Sequence, residues 1–212
     1  MPTLVDDGVV IRESTVICEY LDEAFPAPPP KPADPAGRAA MRVWTKAVDE
    51  EVHPAIRTLT YVTTHRHILM RMSSAELEHH LASDPSPAWR ERKRLWIERG
   101  YAAPDVAQAV HFLDKLFADM DEALSGSPWL VGRDYSLADG ALTPYVNRID
   151  LLGMSGIWQG RRPRLGGWFE RVKARPSFEP ALWKYLPADL RDEMQRDGRN
   201  GWPEVRRLLT AA

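Results

Sequence analysis

The sequence predicts a mainly α-helical fold that opens with a partial α/β segment, a β-hairpin followed by one helix. Three observations support this fold class. Short apolar runs at 4–5 and 9–11 flank an Asp-Asp-Gly turn, which is a hairpin pattern. Residues 26–35 contain six prolines, which exclude a helix or a central strand there. From residue 36 onward apolar residues recur at helical spacing, so the remainder is predicted to be all-α.

Composition narrows the class of protein. The 212 residues carry a net charge of −2, which argues against nucleic acid as the main partner. The single cysteine, Cys18, cannot form an internal disulfide, and we expect it to pack in the core. The sequence has no apolar run of about 18 residues and no signal-peptide pattern, so we expect a cytoplasmic protein. It also lacks an HExxH or paired CxxC motif, so we expect no metal site.

The first predicted helix follows the hairpin directly. Residues 16, 17, 20, 21, 24 and 25 form its apolar stripe, which places Ser14 at the N-cap. A helix start with free N–H groups is an anion site. Ser14 could therefore hold a carboxylate while Glu13 holds an ammonium group, as an amino acid zwitterion requires. The alternative is that Ser14 only caps the helix and Glu13 is solvated.

A family resemblance favours the first interpretation. Residues 1–25 resemble the second half of the thioredoxin-like, glutathione-binding domain of glutathione S-transferases. The residues that carry the resemblance are Pro2-Thr3-Leu4, Asp7-Gly8, Glu13-Ser14, Ile17 and Tyr20-Leu21. It implies that Pro2 is a cis proline opening a strand and that the backbone of Met1 and Pro2 binds the cysteinyl part of glutathione. It further implies that Glu13 and Ser14 bind the γ-glutamyl end.

The same resemblance implies a missing part. In the family a β-α-β unit precedes the proline strand and carries the Ser, Tyr or Cys that stabilises the glutathione thiolate. Such a unit takes about 30 residues, and Pro2 directly follows the first position. The catalytic residue is therefore unknown from this sequence and expected upstream of Met1.

The chain after the proline-rich linker at 26–35 resembles the helical domain of the same family, over 36–212. Its first helix is predicted from Ala36 to Met70, with a kink at Pro54. One face carries His53, Arg57 and Tyr61, which the resemblance assigns to the electrophilic substrate. The alternative is a solvated polar face that also includes Lys46 and Glu50. The segments His53-Pro54-Ala55 and Leu59-Thr60 weakly resemble the bacterial β-etherase subgroup.

Residues 73–101 are predicted to be a helical insert, with a capping box at Ser73 and Glu76 and a helix starting at Ser86-Pro87. Its basic run at 90–94 is interpreted as a solvated face. Further helices are predicted at 104–124, 163–174, 187–196 and 202–209, with Gly198 ending the third of these.

The stretch from Trp129 to Asp139 also resembles the family, which carries a similar turn and capping box. Ser136 is predicted to cap the next helix, and Asp139 at N3 to return a bond to the Ser136 N–H. We assign this pair a structural role, and no catalytic one.

Two functions follow from these patterns. The first is a glutathione transferase that uses glutathione as co-substrate and conjugates or reductively cleaves a hydrophobic electrophile; the resemblance implies a homodimer. The second is a non-catalytic binding or assembly module that keeps the fold, because the segment with the thiol-activating residue is absent.

Overall fold

The computed structural model describes residues 2–27 and 30–211 and is a mainly α-helical protein with one small sheet. Ten α-helices and two β-strands lie within these described residues. The strands are β1 (Thr3–Asp6) and β2 (Val9–Arg12). The helices are α1 (Ser14–Ala24), α2 (Pro35–Ala47), α3 (His53–Thr60), α4 (Arg66–Leu69), α5 (Ser74–Ala82), α6 (Pro87–Arg99), α7 (Pro104–Ala123), α8 (Leu137–Leu151), α9 (Pro163–Lys173) and α10 (Ala188–Thr210). The predicted fold class is confirmed.

Some predictions fall outside the described residues. They are the binding role of Met1, the linker positions Pro28 and Pro29, and the last residue of the helical segment, Ala212. The division into a segment at 1–25, a linker at 26–35 and a helical part at 36–212 stays a prediction.

The hairpin forms as predicted. Its strands are antiparallel, with Thr3 opposite Arg12 and Asp6 opposite Val9. The two turn residues, Asp7 and Gly8, have φ values of 45° and 80°. Two consecutive left-handed residues define the turn type whose twist matches paired strands.

The start of α1 differs from the prediction. Ser14 is the first helical residue, and Glu13 occupies the cap position with φ 69° and ψ 123° and no side-chain cap bond. The expected N-cap role of Ser14 was therefore wrong. Because β2 runs to Arg12, one residue has to make the whole change of direction, and Glu13 makes it in a left-handed conformation.

The predicted helix from Ala36 to Met70 is three α-helices joined by two π turns, Val48–Val52 and Tyr61–His65. The His53 N–H bonds to the Val48 carbonyl, five residues earlier. Pro54 has no N–H and its ring crowds the carbonyl four residues before it, so the extra residue of the π turn absorbs the clash. The distortion expected at Pro54 thus lies in the preceding turn.

The C-terminal helices predicted at 187–196 and 202–209 are one helix, α10. Gly198 does not end it. A Cβ on Gly198 would lie 1.6 Å from the Leu152 carbonyl oxygen, and one on Gly201 would lie 1.8 Å from the Tyr101 hydroxyl oxygen. These glycines permit close packing against neighbouring elements and stay helical.

The apolar core lies in the helical part. α3 packs along α7, α2 along α8, and α10 against α7 and α8. Asp139, fully buried in the first turn of α8, joins three segments. Its Oδ2 accepts from the Ser136 N–H at 2.9 Å, and its Oδ1 accepts from the Leu130 N–H at 3.0 Å and from Trp168 Nε1 at 2.8 Å. The capping box therefore also anchors the preceding loop and α9.

Candidate functional site

The junction of β2 and α1 presents polar groups to solvent. Glu13 and Ser14 are both exposed, and Ser14 opens the first turn of α1. The strand register places Thr3 opposite Arg12, so the chain at Pro2 runs beside Glu13. The structure thus brings Pro2, Glu13 and Ser14, three of the four residues predicted to bind glutathione, to the same end of the hairpin.

Ser14 also lines a cavity of about 220 Å³ between α1 and the helical part. Thr15 and Cys18 line it from α1, and Tyr145 lines it from α8. Thr15 Oγ1 donates to Asp49 Oδ2 at 2.7 Å, which ties the start of α1 to the first π turn. Ser14 therefore faces a cleft and is not turned into the protein interior.

The sequence predicted that Cys18 packs in the core, and this prediction was wrong. Cys18 is exposed at this cavity. Val16, Leu21 and Phe25 on the apolar side of α1 are exposed as well, so this stripe is only partly covered. Partial burial raises the pKa of the Cys18 thiol, which therefore stays protonated at neutral pH.

A larger pocket of about 500 Å³ adjoins the first cavity and shares Pro144 and Tyr145 with it. His53, Arg57 and Tyr61 form one wall. These are the three residues that the sequence offered for an electrophilic substrate, and the structure brings them together at one pocket. Lys46 and Glu50, from the same predicted face, instead pair with each other in solvent. The polar face is thus divided between a pocket and a solvated pair.

The opposite wall comes from the helical insert. Trp89, Lys93 and Trp96 project from α6. Arg57 lies over Trp89, with its Cζ 3.5 Å from the ring centroid, and the Tyr61 and Trp96 rings lie 5.0 Å apart between centroids. The pocket is therefore both aromatic and cationic.

Burial determines the protonation state of the titratable side chains in this wall. Burial raises the pKa of Tyr61 to about 12, so its hydroxyl is a hydrogen-bond donor at neutral pH. Burial, then the Arg57 charge, lowers the pKa of His53 and keeps that imidazole neutral. The His53 Nδ1 lies 3.4 Å from the Tyr145 hydroxyl oxygen at the junction of the two cavities.

Sequence reasoning missed half of this pocket. A signal for α6 was present, because Trp89 and Trp96 are seven residues apart and fall on one helical face, but the basic run at 90–94 was interpreted as a solvated face. Tyr145 and Arg148 gave no signal, because α8 reaches the pocket only through its packing on α2 and α3.

Among residues 2–27 and 30–211 no group of three or more His, Cys, Asp or Glu side chains is arranged to hold a metal ion. None of the helices described there combines the length and apolarity needed to cross a bilayer.

Comparison with known proteins identifies the family. Residues 1–29 match the glutathione S-transferase N-terminal domain and residues 69–171 match its C-terminal domain. Protein LigF of Sphingobium sp. strain SYK-6 is 33% identical over 195 residues, covering 90% of this chain and 76% of LigF. The chain belongs to the glutathione S-transferase family.

Within this glutathione S-transferase family the chain lies near the β-etherases. The crystal structure of the β-etherase LigF superposes with a TM-score of 0.74 at 34% identity, covering 85% of this chain and 76% of that one. A more distant relative is the stringent starvation protein A homolog of Pasteurella multocida, 24% identical over 193 residues, or 91% of this chain and 72% of that protein.

Proposed function

We propose that this chain binds glutathione as co-substrate at the start of α1 and presents its thiol to an electrophile. The electrophile is held in the pocket of about 500 Å³ lined by His53, Arg57 and Tyr61, here called the Arg57 pocket. Ser14 and the free N–H groups of α1 take the γ-glutamyl carboxylate. Glu13 takes the γ-glutamyl ammonium group, and the backbone at Met1 and Pro2 takes the cysteinyl part. We expect the protein to be cytoplasmic and to act as a homodimer, as family members do.

The left-handed Glu13 is the observation that carries this proposal. A non-glycine residue at φ 69° costs about 1–2 kcal/mol, and such strain concentrates at binding sites. Here it directs the Glu13 and Ser14 side chains outward beside the unpaired N–H groups of a helix start. That arrangement suits a zwitterion, because anion and cation are met by adjacent groups.

The adjoining pockets support a transfer reaction. In a displacement, the glutathione sulfur forms a C–S bond to the electrophilic carbon while the leaving group departs with the bonding pair. If the substrate is an aryl ether, the C–O bond breaks and the aryloxide takes up the thiol proton. A second glutathione thiol then attacks that sulfur: an S–S bond forms, the C–S bond breaks, and the carbon leaves with the bonding pair and takes up the thiol proton. The products of this reductive cleavage are glutathione disulfide and the reduced carbon compound. Likeness to LigF, a β-etherase by name, supports the ether as substrate.

Calorimetric titration with glutathione tests the binding step. We expect Ser14→Ala to weaken glutathione binding about 10-fold or more, because a hydrogen bond to a charged group contributes about 1.5–3 kcal/mol. The matched control is Ser177→Ala, since Ser177 is also exposed but lies between α9 and α10. If the wild type does not bind glutathione, or if both variants bind it equally well, the proposal is wrong.

A non-catalytic module is the second candidate. It is favoured by the likeness to a stringent starvation protein A homolog, whose name denotes no transferase. Product analysis separates the two: a glutathione thioether or a released phenol supports the enzyme. Glutathione binding without either product, across aryl halides and aryl ethers, supports the module.

A further inference from the structure

The Arg57 pocket contains hydrogen-bonding groups that nothing in the described chain satisfies. Arg57 Nε, Thr60 Oγ1 and the Tyr61 hydroxyl are buried, and none has a hydrogen-bond partner within residues 2–27 and 30–211. All three residues line the pocket. A buried polar group without a partner costs about 1–3 kcal/mol, so three on one wall point to a ligand that supplies their partners.

The unpartnered groups define the ligand's polarity. Arg57 Nε can only donate, and the Thr60 and Tyr61 hydroxyls can each donate as well. The pKa of Tyr61, raised to about 12, keeps its proton in place at neutral pH. The complementary ligand group is therefore an acceptor with several lone pairs.

Charge on the pocket lining favours an anionic acceptor. Arg57, Lys93 and Arg148 are cationic, and Asp84 is the one carboxylate among the lining residues. Lys93 Nζ pairs with Asp84 Oδ2 at 2.8 Å, so that charge is compensated. Arg57 and Arg148 form no ion pair with any residue of the described chain, and burial lowers the pKa of both guanidinium groups. Two cations without an ion pair of their own thus face a half-buried cavity.

Aromatic side chains define the rest of the ligand. The Trp89 and Trp96 centroids lie 6.0 Å apart, and Tyr61 lies 5.0 Å from Trp96. Such rings pack best on a flat apolar group. Stacking of Arg57 on Trp89 also holds the guanidinium plane in one orientation, which is the condition for two-point recognition of a carboxylate.

We infer that the electrophile taken by this pocket is an aromatic carboxylate, with its ring against the aromatic wall at Trp89 and its carboxylate on Arg57, Thr60 and Tyr61. Arg148 contributes the second positive charge. This inference rests on the proposed function, because it names the class of the electrophile, and it replaces an uncharged hydrophobic substrate with an anionic one. A neutral analogue carries no charge for the two arginines and fewer acceptor lone pairs for the same donors, so it binds less well.

Tryptophan fluorescence tests the inference without glutathione, using Trp89 and Trp96 as reporters. The probes are 4-phenoxybenzoate and its neutral isostere 4-phenoxybenzamide, which differ only in the charged group. We expect the benzoate to bind at least 10-fold more tightly than the benzamide. We expect Arg57→Gln to remove that preference while the benzamide affinity changes less than about threefold.

Two further variants complete the design. Arg57→Lys keeps the charge and is expected to restore part of the preference, and Arg71→Gln removes an exposed arginine and is expected to change nothing. Thermal unfolding of each variant establishes that it is folded. Equal affinity for the two probes, or an unchanged preference in folded Arg57→Gln, overturns the inference. Because no glutathione is present, these results are independent of the titration of Ser14→Ala.

Discussion

Residues 2–25 and the helical part that begins at residue 36 are held in place by different interactions. In the described part of 2–25 only Asp22 is buried, whereas Val5, Val9 and Phe25 are each more than half exposed. The attachment of α1 to α2 and to the first π turn is polar, through Arg42 with Glu19 at 2.7 Å and Thr15 with Asp49 at 2.7 Å. The helical part instead buries a continuous apolar core.

This difference separates stability from binding. The helical part carries the cooperative free energy of unfolding, because that free energy comes mainly from apolar burial. The opening segment supplies the groups proposed for glutathione through local backbone geometry. Changes in the two regions should therefore give different results, and three substitutions test this, from the largest effect to the smallest.

Asp139→Ala should give the largest loss. Its carboxylate satisfies the N–H groups of Leu130 and Ser136 and the Trp168 indole, all within a buried site. Removing it orphans these donors, so we expect the free energy of unfolding to fall by about 3–5 kcal/mol in urea denaturation.

The control for this substitution is Asp134→Ala, since Asp134 is exposed just before the capping box. It should change the free energy by less than about 0.5 kcal/mol. Equal effects at the two aspartates would contradict the anchoring role of Asp139.

Gly198→Ala should come next. The added Cβ would meet the Leu152 carbonyl oxygen at 1.6 Å, which forces α10 away from the end of α8. We expect a loss of about 3 kcal/mol in the free energy of unfolding, measured by thermal denaturation. Gly166→Ala in α9 meets nothing within 4 Å and should instead stabilise by about 0.5–1 kcal/mol. If both alanines stabilise the protein, Gly198 has no packing role.

Gly8→Ala should have the smallest effect on global unfolding. It strains a residue at φ 80° by about 1 kcal/mol, but the hairpin is only weakly coupled to the core. We expect faster hydrogen exchange at the Leu4 and Ile11 amides, which form a hydrogen-bonded pair of the hairpin, and a change in melting temperature of less than a few degrees.

Gly126→Ala serves as the comparison, because that glycine lies outside the hairpin and a Cβ there meets nothing within 4 Å. It should leave hairpin exchange unchanged. A large cooperative loss of stability in Gly8→Ala would show that the opening segment belongs to the folding core after all.

Much of the fold could be read from local patterns. The Asp-Gly turn, the boxes at Ser73 and Ser136, and the apolar stripe of α7 all depend on residues within a few positions of each other. The errors arose where distant groups decide. Gly198 resembled a helix stop because its partner, Leu152, is 46 positions away. Ser14 resembled an N-cap because the sequence does not show at which residue β2 ends and α1 begins.

The candidate site divides in the same way. Glu13, Ser14, His53, Arg57 and Tyr61 could be singled out from the sequence, because each lies in a local motif or on one helical face. Their role could not be predicted, because a polar helical face has the same sequence pattern whether it contacts water or lines a cavity. Only the packing of α6 and α8 against α3 placed two tryptophans and Arg148 opposite Arg57. Helix type is a short-range property, whereas a pocket forms only when elements far apart in sequence pack together.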